Sequence, residues 1–162
     1  MKTTESMQVI NNHIVSDNDI VLSTLTETDR AYLAGLIDGE GCITGYVTKR
    51  RRFHSRITIS NTDLALMDWI KGKVNFFHIY KSSHYSNKHK QGYVAQIGNR
   101  YEIYSFLRCV SPYLVIKKER ANRLIDLIRD RIVSGKFLSD NVVERAMKFR
   151  DYNRKGLDEN CA

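Results

Sequence analysis

The segment LAGLIDGEG, residues 33–41, contains two carboxylates, Asp38 and Glu40, and two glycines four residues apart, Gly35 and Gly39, before it ends at Gly41. The surrounding apolar spacing predicts a helix, so Asp38 and Glu40 would lie at its C-terminal end, where the helix dipole already places negative charge. A carboxylate there is unfavourable by roughly 0.3–1 kcal/mol, and a bound cation would reverse that sign. Carboxylate and carbonyl oxygens suit magnesium or a similar hard ion. The segment therefore predicts a divalent-cation site.

The two glycines indicate a second property of the same helix. Glycine inside a helix costs roughly 0.5–1 kcal/mol relative to alanine, so two of them need a structural reason. Gly35 and Gly39 share one side of the helix, with Ala34 and Asp38 beside them, so another helix could approach closely there. The alternative is that Gly39 only caps the helix, and both roles are compatible.

The net charge of +8 is concentrated in the middle of the chain. Residues 41–100 contain eleven Lys or Arg and two acids, so this segment carries +9 and the remainder −1. A regional surplus of this kind indicates a polyanionic partner. Nucleic acid is favoured over a membrane surface, because the segment shows no amphipathic basic helix.

Other functional classes find little support in the composition. The three cysteines have no CxxC spacing, which argues against a disulfide framework and against a structural zinc site. His84 and His89 lack a second ligand pair, so they are interpreted as solvated or DNA-facing side chains. Neither an apolar run of about 18 residues nor a signal peptide is found. We therefore expect a soluble intracellular protein, in a bacterial or archaeal cytoplasm or in an organelle.

The hydrophobic periodicity predicts an α+β domain over residues 26–154. Helices are expected at about 26–39, 62–74, 101–110, 118–133 and 139–152, and strands at about 42–48, 52–60, 77–82 and 93–98. The expected caps are Thr26 or Thr28 for the first helix and Asn61 or Thr62 for the second. Antiparallel pairing would give a four-stranded sheet with helices on one face. Residues 1–25 form an extension of unknown role, and residues 155–162 a tail.

The uncovered face of this sheet is polar and basic. Alternation places on it Thr44, Tyr46, Thr48, Arg52, His54, Arg56, Thr58 and Ser60, with Tyr80 and Gln96 from the second strand pair. The connecting turn adds Lys49, Arg50 and Arg51, whose mutual repulsion is unfavourable without an anion. Such a face can enter a major groove roughly 12 Å wide, where polar side chains read bases and turn cations hold phosphates. The alternative is an ordinary solvated face.

The segment LAGLIDGEG resembles the signature of the LAGLIDADG homing endonucleases. Seven of its nine residues match, with Gly39 and Glu40 where the usual pattern has alanine and aspartate. The resemblance extends to the αββαββα element order and to SPYLVIKKERANRLI, residues 111–125, which is similar to the segment with the family's catalytic lysine. It covers roughly residues 29–133, and extra helices would follow it.

The resemblance implies a site-specific endonuclease that cuts double-stranded DNA. Such an enzyme hydrolyses phosphodiester bonds with Mg²⁺ or Mn²⁺ at a long pseudo-palindromic site, leaves short 3′ overhangs, and promotes homing of an intron or intein. One copy of the motif implies a homodimer whose sheets form a saddle on the DNA. The helix face with Ala34, Gly35, Asp38 and Gly39 would then pack against its two-fold mate.

The resemblance also implies roles for single residues. Glu40 would bind the metal together with the carbonyl of Gly39, and Asp38 would be mainly structural. Lys117 would be the basic residue near the scissile phosphate, with Lys118 as the neighbouring alternative.

The expected solvent network around the metal differs in part from the family pattern. Asn61 matches a position where a polar side chain orders water. An arginine found in some members corresponds to Ala65 here. Part of that network is therefore missing or differently built.

Two other functions are compatible with the same residues. The first is an RNA maturase that assists the splicing of its host intron, which would not need Glu40. The second is a transcriptional regulator of the same fold that no longer cleaves DNA.

Overall fold

The computed structural model describes residues 18–82, 90–133 and 139–155. Its helices are α1 (Asn18–Ser23), α2 (Glu27–Glu40), α3 (Leu64–Lys73), α4 (Arg100–Val110), α5 (Lys118–Val133) and α6 (Asp140–Lys155), with a 3₁₀ turn at Ser111–Tyr113. Its strands are β1 (Gly41–Val47), β2 (Phe53–Asn61), β3 (His78–Lys81) and β4 (Tyr93–Ile97). The predicted α+β class and the αββαββα order, from α2 to α4, are confirmed.

The four strands form one antiparallel sheet in the order β1-β2-β4-β3. Its register aligns apolar side chains across the strands: Ile43 lies opposite Ile57, and Ile57 lies opposite Ile97. These isoleucines are fully buried, because the helices pack over this face. The other face is open, as the sequence predicts.

The helix with the LAGLIDGEG segment, α2, is fixed at its start by a capping box. Thr26 Oγ1 accepts the backbone N–H of Asp29, and Asp29 Oδ2 accepts the backbone N–H of Thr26, each at 3.1 Å. Asp29 also receives Lys73 Nζ from the end of α3 at 3.0 Å. Of the two expected caps, Thr26 is therefore the correct one.

The cap of α3 differs from the prediction. Asp63 Oδ1 accepts the backbone N–H of Leu66 at 3.1 Å and caps the helix, in place of Asn61 or Thr62. The side chain of Asn61 instead accepts the backbone N–H of Asp63 at 2.9 Å. The helix therefore begins at Leu64, two residues later than predicted, directly after the turn that the Asn61 side chain closes.

Part of the predicted N-terminal extension belongs to the fold. Helix α1 packs against α4, and Leu22 and Leu25 are each 4% exposed. The domain therefore includes residues before position 26. Residues 1–17 and 156–162 lie outside the described residues, as do His84 and His89, so the roles predicted for them stay predictions.

The C-terminal helices complete the core over β1. Gly45 in β1 permits this contact, since a Cβ atom there would lie 3.0 Å from Leu124 Cδ1 and 3.2 Å from Phe149 Cε1. Helix α6 thus packs directly on the strand that follows α2. Within the three described ranges, no helix is long and apolar enough to cross a membrane.

Candidate active site and nucleic-acid interface

The chain passes directly from α2 to β1 at Gly41, so Glu40 is exposed at the junction. A Cβ atom at position 41 would lie 2.6 Å from Ile37 Cα and 2.7 Å from Ile37 O, closer than real Cβ atoms come to backbone. The Gly41 N–H donates to the Ile37 carbonyl and closes the helix. The last glycine of the segment is therefore required by the close approach of two backbone segments.

Asp38 binds the segment that precedes α5. Its Oδ2 accepts the backbone N–H groups of Val115 at 2.7 Å and Ile116 at 3.2 Å, and its Oδ1 accepts that of Lys117 at 2.8 Å. Burial alone would raise the pKa of Asp38, but these hydrogen bonds favour the carboxylate and lower it overall. Asp38 thus joins the end of α2 to residues 115–117.

Lys117 completes this contact from the other side. Its Nζ donates to the carbonyl oxygens of Ile37 and Asp38, both at 2.7 Å. We call the reciprocal contact of Asp38 and Lys117 the clasp. Burial lowers the pKa of Lys117, while the charges of Asp38 and, more weakly, Glu40 act to raise it. Because an ammonium has three N–H donors, one remains for a ligand once the two carbonyls are bound.

The two lysines considered from the sequence differ in their surroundings. Lys117 lies at the end of α2 within the field of Glu40, whereas Lys118 begins α5 and is exposed. Asn61 lies at the same end of the sheet, since Gly41 pairs with Ile59 and Asn61 is two residues further along β2. The structure therefore places these predicted site residues at one end of the molecule.

The exposed face of α2 is smaller than predicted. Gly35 and Gly39 are exposed, and a Cβ atom on either would meet nothing within 4 Å. Ala34 is fully buried in the core of its own chain, so its assignment to a dimer face is wrong. Neighbouring helix positions point about 100° apart, which turns Ala34 inward while Gly35 points outward.

The open face of the sheet carries most of the predicted polar side chains, whereas Thr48 and Arg52 lie in the turn between β1 and β2. His54, Arg56 and Ser60 are exposed along β2 and alternate with the buried Ile57 and Ile59. This alternation confirms the strand face predicted from period two.

Two cross-strand contacts order one half of this open face. Tyr46 lies opposite His54, and their rings stack with centroids 5.3 Å apart and an interplanar angle of 17°. Thr44 lies opposite Arg56 and donates its hydroxyl to the Arg56 carbonyl at 3.2 Å. These side chains form a regular polar surface along the first hairpin.

In the turn between β1 and β2, some residues that were predicted to contact DNA form contacts within the chain. Thr48 accepts the backbone N–H of Arg51 on its carbonyl and that of Arg52 on its hydroxyl. Arg51 has a left-handed backbone with φ of 56° and forms an ion pair with Asp140 at the start of α6. Lys49, Arg50 and Arg52 remain exposed at the turn.

A family model for the LAGLIDADG-like domain matches residues 27–111. The chain belongs to this family. The match begins at the first residue of α2 and ends just after α4, so it spans the sheet and most of the site described above. As a member of the LAGLIDADG family, the chain is classed with DNA-cleaving nucleases. No curated protein matches the chain significantly in sequence.

Solved structures of LAGLIDADG homing endonucleases share this fold. I-CvuI in complex with its target and calcium superposes with a TM-score of 0.64 and 17% identity, over 81% of this chain and 83% of that one. The archaeal intron-encoded homing endonuclease I-Vdi141I complexed with DNA superposes with a TM-score of 0.66 and 18% identity, over 82% of this chain and 86% of that one. I-SmaMI bound to cleaved DNA superposes with a TM-score of 0.64 and 18% identity, over 80% of this chain but 45% of that one. The predicted LAGLIDADG fold is confirmed.

Sequence reasoning missed two side chains of the open face. One row of side chains crosses all four strands of the open face. In this row Cys42 pairs with Thr58, Thr58 with Gln96, and Gln96 with His78. Cys42 and His78 are both exposed. Counting two residues back from Thr44 and from Tyr80 would have found them.

Two exposed apolar side chains next to the clasp were also missed. Val115 is 84% exposed and Ile116 is 76% exposed, although Asp38 holds the backbone of both. Their signal in the sequence is an apolar pair directly before Lys117, outside any helical repeat. The two side chains form a small exposed apolar patch next to the clasp.

One chain supplies few acidic ligands at the end of α2. In the described part of the chain, no group of three or more His, Cys, Asp or Glu side chains could hold a metal ion. Asp38 is engaged by three backbone amides, which leaves Glu40 as the exposed carboxylate of the helix end.

Proposed function

We propose that this protein is a homing endonuclease that acts as a homodimer on a long pseudo-palindromic site in double-stranded DNA. The cleavage reaction is hydrolysis of phosphodiester bonds with Mg²⁺ or Mn²⁺, which leaves short 3′ overhangs. The observation that carries the proposal is the clasp, which fixes the end of α2 where Glu40 is exposed, at one end of a polar, basic sheet face.

Glu40 fits the role of a metal ligand. Its carboxylate is exposed at a helix C-terminus, and no ion pair to it is found among the described residues. Glu40 and the carbonyl of Gly39 would hold the ion, whose oxygen preference they match. A bound divalent ion would lower the pKa of a water and stabilise charge on the phosphate. Since the described residues of one chain offer one exposed acid at the end of α2, two copies are needed for a symmetric pair of sites.

The remaining site residues position and support the reacting groups. Asp38 and Lys117 fix the end of α2, so that Glu40 is presented at a defined place. The third N–H of Lys117 can donate to a phosphate oxygen or a water. Asn61 accepts from the Asp63 amide with its oxygen, which leaves its NH₂ group to orient water.

The homodimer is supported by the exposed surface of α2 and of the segment that the clasp holds next to it. Gly35 and Gly39 present backbone without side chains, and Val115 and Ile116 add exposed apolar surface next to them. The chain corresponds to 83% of I-CvuI and 86% of I-Vdi141I but to 45% of I-SmaMI.

The DNA target is supported by the open sheet face. Arg56, Thr58 and Gln96 offer the donors and acceptors that read base edges in a major groove. The named relatives I-CvuI and I-Vdi141I were solved in complex with DNA. The biological role that fits these features is homing of an intron or intein, in a microbial cytoplasm or an organelle.

The experiment uses a plasmid with the joined exons of the host gene, without the insertion. With Mg²⁺, the protein is expected to linearise this plasmid at one site with 3′ overhangs, and EDTA is expected to abolish cutting. Sedimentation of the protein with the duplex is expected to give two copies per site. A monomer on the DNA, or no cutting with either metal, would overturn the proposal.

RNA maturation is the second candidate, because the same basic turn can bind RNA phosphates. This activity needs no metal ligand at position 40. A splicing assay with Glu40→Gln therefore separates the two functions: a maturase keeps its splicing activity in this variant.

A further inference from the structure

A groove lies at the end of the sheet opposite Glu40. Strand β4 ends at Ile97, which pairs with Ile57, so residues 53–56 of β2 have no β4 neighbour. The groove runs between this free edge, the start of α4, the end of α5 and the start of α6, with a volume of about 1120 Å³. It extends onto the helix side of the sheet, where nothing in the sequence predicted a contact.

The lining of the groove is strongly basic. Its charged residues are Arg50, Arg51, Arg52, Arg100, Arg131 and Asp140. The single acid in this set, Asp140, is paired with Arg51. The other four arginines form no ion pair with any residue that the structure describes. Four uncompensated guanidinium groups therefore face one groove.

Two of these arginines come from different helices and repel each other. Arg131, near the end of α5, is half-buried, and burial lowers the pKa of its guanidinium. The positive charge of Arg100, the first residue of α4, lowers it further. Holding both charges in one groove is unfavourable in the free protein, and an anion between them would remove that cost.

We propose that this groove binds phosphate groups of the DNA that lies on the open face, past the free edge of β2. The proposal rests on DNA being the partner. His54 belongs both to the open face and to the groove lining, so the two surfaces are continuous. The groove is larger than the roughly 300–1,000 Å³ of small-molecule pockets. Guanidinium forks bind phosphate oxygens in pairs, which suits a nucleic-acid backbone.

The test compares two double variants of equal charge. Arg100→Gln with Arg131→Gln removes two groove cations. Arg108→Gln with Arg129→Gln removes one arginine from each of the same helices outside the groove; Arg108 lies over the Tyr104 ring, and Arg129 pairs with Asp126. Phosphate contacts carry no sequence information, so the probe is a fluorescent random-sequence 30-bp duplex, titrated at several salt concentrations without metal.

The plot of log K against log salt has a negative slope, and each phosphate contact contributes about 0.9 to its steepness. The groove variant loses two contacts, so its slope should be less steep than that of wild type by about 1.8. At 0.1 M salt its affinity should fall about tenfold or more, while the control variant stays within about twofold of wild type. The single variants Arg100→Gln and Arg131→Gln should each give about half the change in slope. Thermal melting without DNA checks that every variant is folded.

Equal weakening by both double variants, or an unchanged slope in the groove variant, would overturn the proposal. The same titration with a 30-bp RNA duplex adds a third outcome. A groove variant that loses RNA affinity and keeps DNA affinity would also overturn it and would assign the groove to RNA. Because the assay measures binding without metal, its result does not depend on whether the protein cuts DNA.

Discussion

The two ends of the sheet differ in whether their charged side chains are bound within the chain. At the end with Glu40, the charged side chains of Asp38 and Lys117 are satisfied by backbone groups of the same chain. At the far end, Arg100 and Arg131 face one groove without an ion pair among the described residues. Charges bound within the chain fix geometry, as catalysis requires, whereas uncompensated charges are available to a partner.

The clasp end should tolerate the least change, and Gly41→Ala should have the largest effect. Its added Cβ would meet the Ile37 backbone at 2.6 Å, so we expect a loss of about 3 kcal/mol in the free energy of unfolding. Gly72→Ala, near the end of α3, is the matched control, because its Cβ would also meet nothing within 4 Å. This control should be as stable as wild type or about 0.5–1 kcal/mol more stable. Urea unfolding measures both, and equal effects would refute the steric explanation.

The second-largest loss of stability is expected for Asp38→Asn, which removes the charged acceptor of three backbone amides. We expect a loss of about 2 kcal/mol in unfolding free energy at pH 7, since hydrogen bonds to charged groups contribute about 1.5–3 kcal/mol. Asp68→Asn, at an exposed position of α3, is the control and should change little. Urea unfolding of both variants is compared with wild type.

The same variant should show a defined pH dependence. The folded pKa of Asp38 lies below its ordinary value of 3.8, so its contribution to stability is present above that pH and is lost as the pH falls through the folded value. The difference between wild type and Asp38→Asn should therefore shrink below about pH 4. A difference that stays constant down to pH 2.5 would show that the carboxylate does not act through its charge.

The smallest effect is expected at the groove end. Asp140 forms an exposed ion pair with Arg51, and pairs of this kind contribute little, about 0.2–1 kcal/mol. Asp140→Asn should change the unfolding free energy by less than about 0.5 kcal/mol and should strengthen binding of duplex DNA, because it removes the one acid of the groove. Calorimetric melting and fluorescence anisotropy measure the two quantities. Weaker DNA binding would contradict the comparison of the two ends.

Local patterns predicted the elements and the open face. Period two along β2 separated His54 and Arg56 from Ile57 and Ile59, and the structure keeps that division. The motif located Glu40 at the end of α2. These features depend on residues that are neighbours in sequence, so the sequence was sufficient for them.

Features that depend on distant residues were not predictable. The partner of Asp38 lies 77 residues further along the chain, and no local pattern joins them. The groove combines Arg100 and Arg131 from two helices with the β1–β2 turn. The burial of Ala34 depends on which side of α2 the core covers, which the motif alone does not show.

The central claim is that the clasp presents Glu40 as the metal-binding acid of a DNA endonuclease. The direct measurement is the rate of cleavage of the target plasmid across a Mg²⁺ titration, with duplex binding measured in parallel. Glu40→Gln should bind DNA like wild type and cut it at least about 10³-fold more slowly, the loss of several kcal/mol of charge stabilisation. Glu27→Gln, in the first turn of the same helix, should cut like wild type. Cleavage by Glu40→Gln at the wild-type rate would contradict the account.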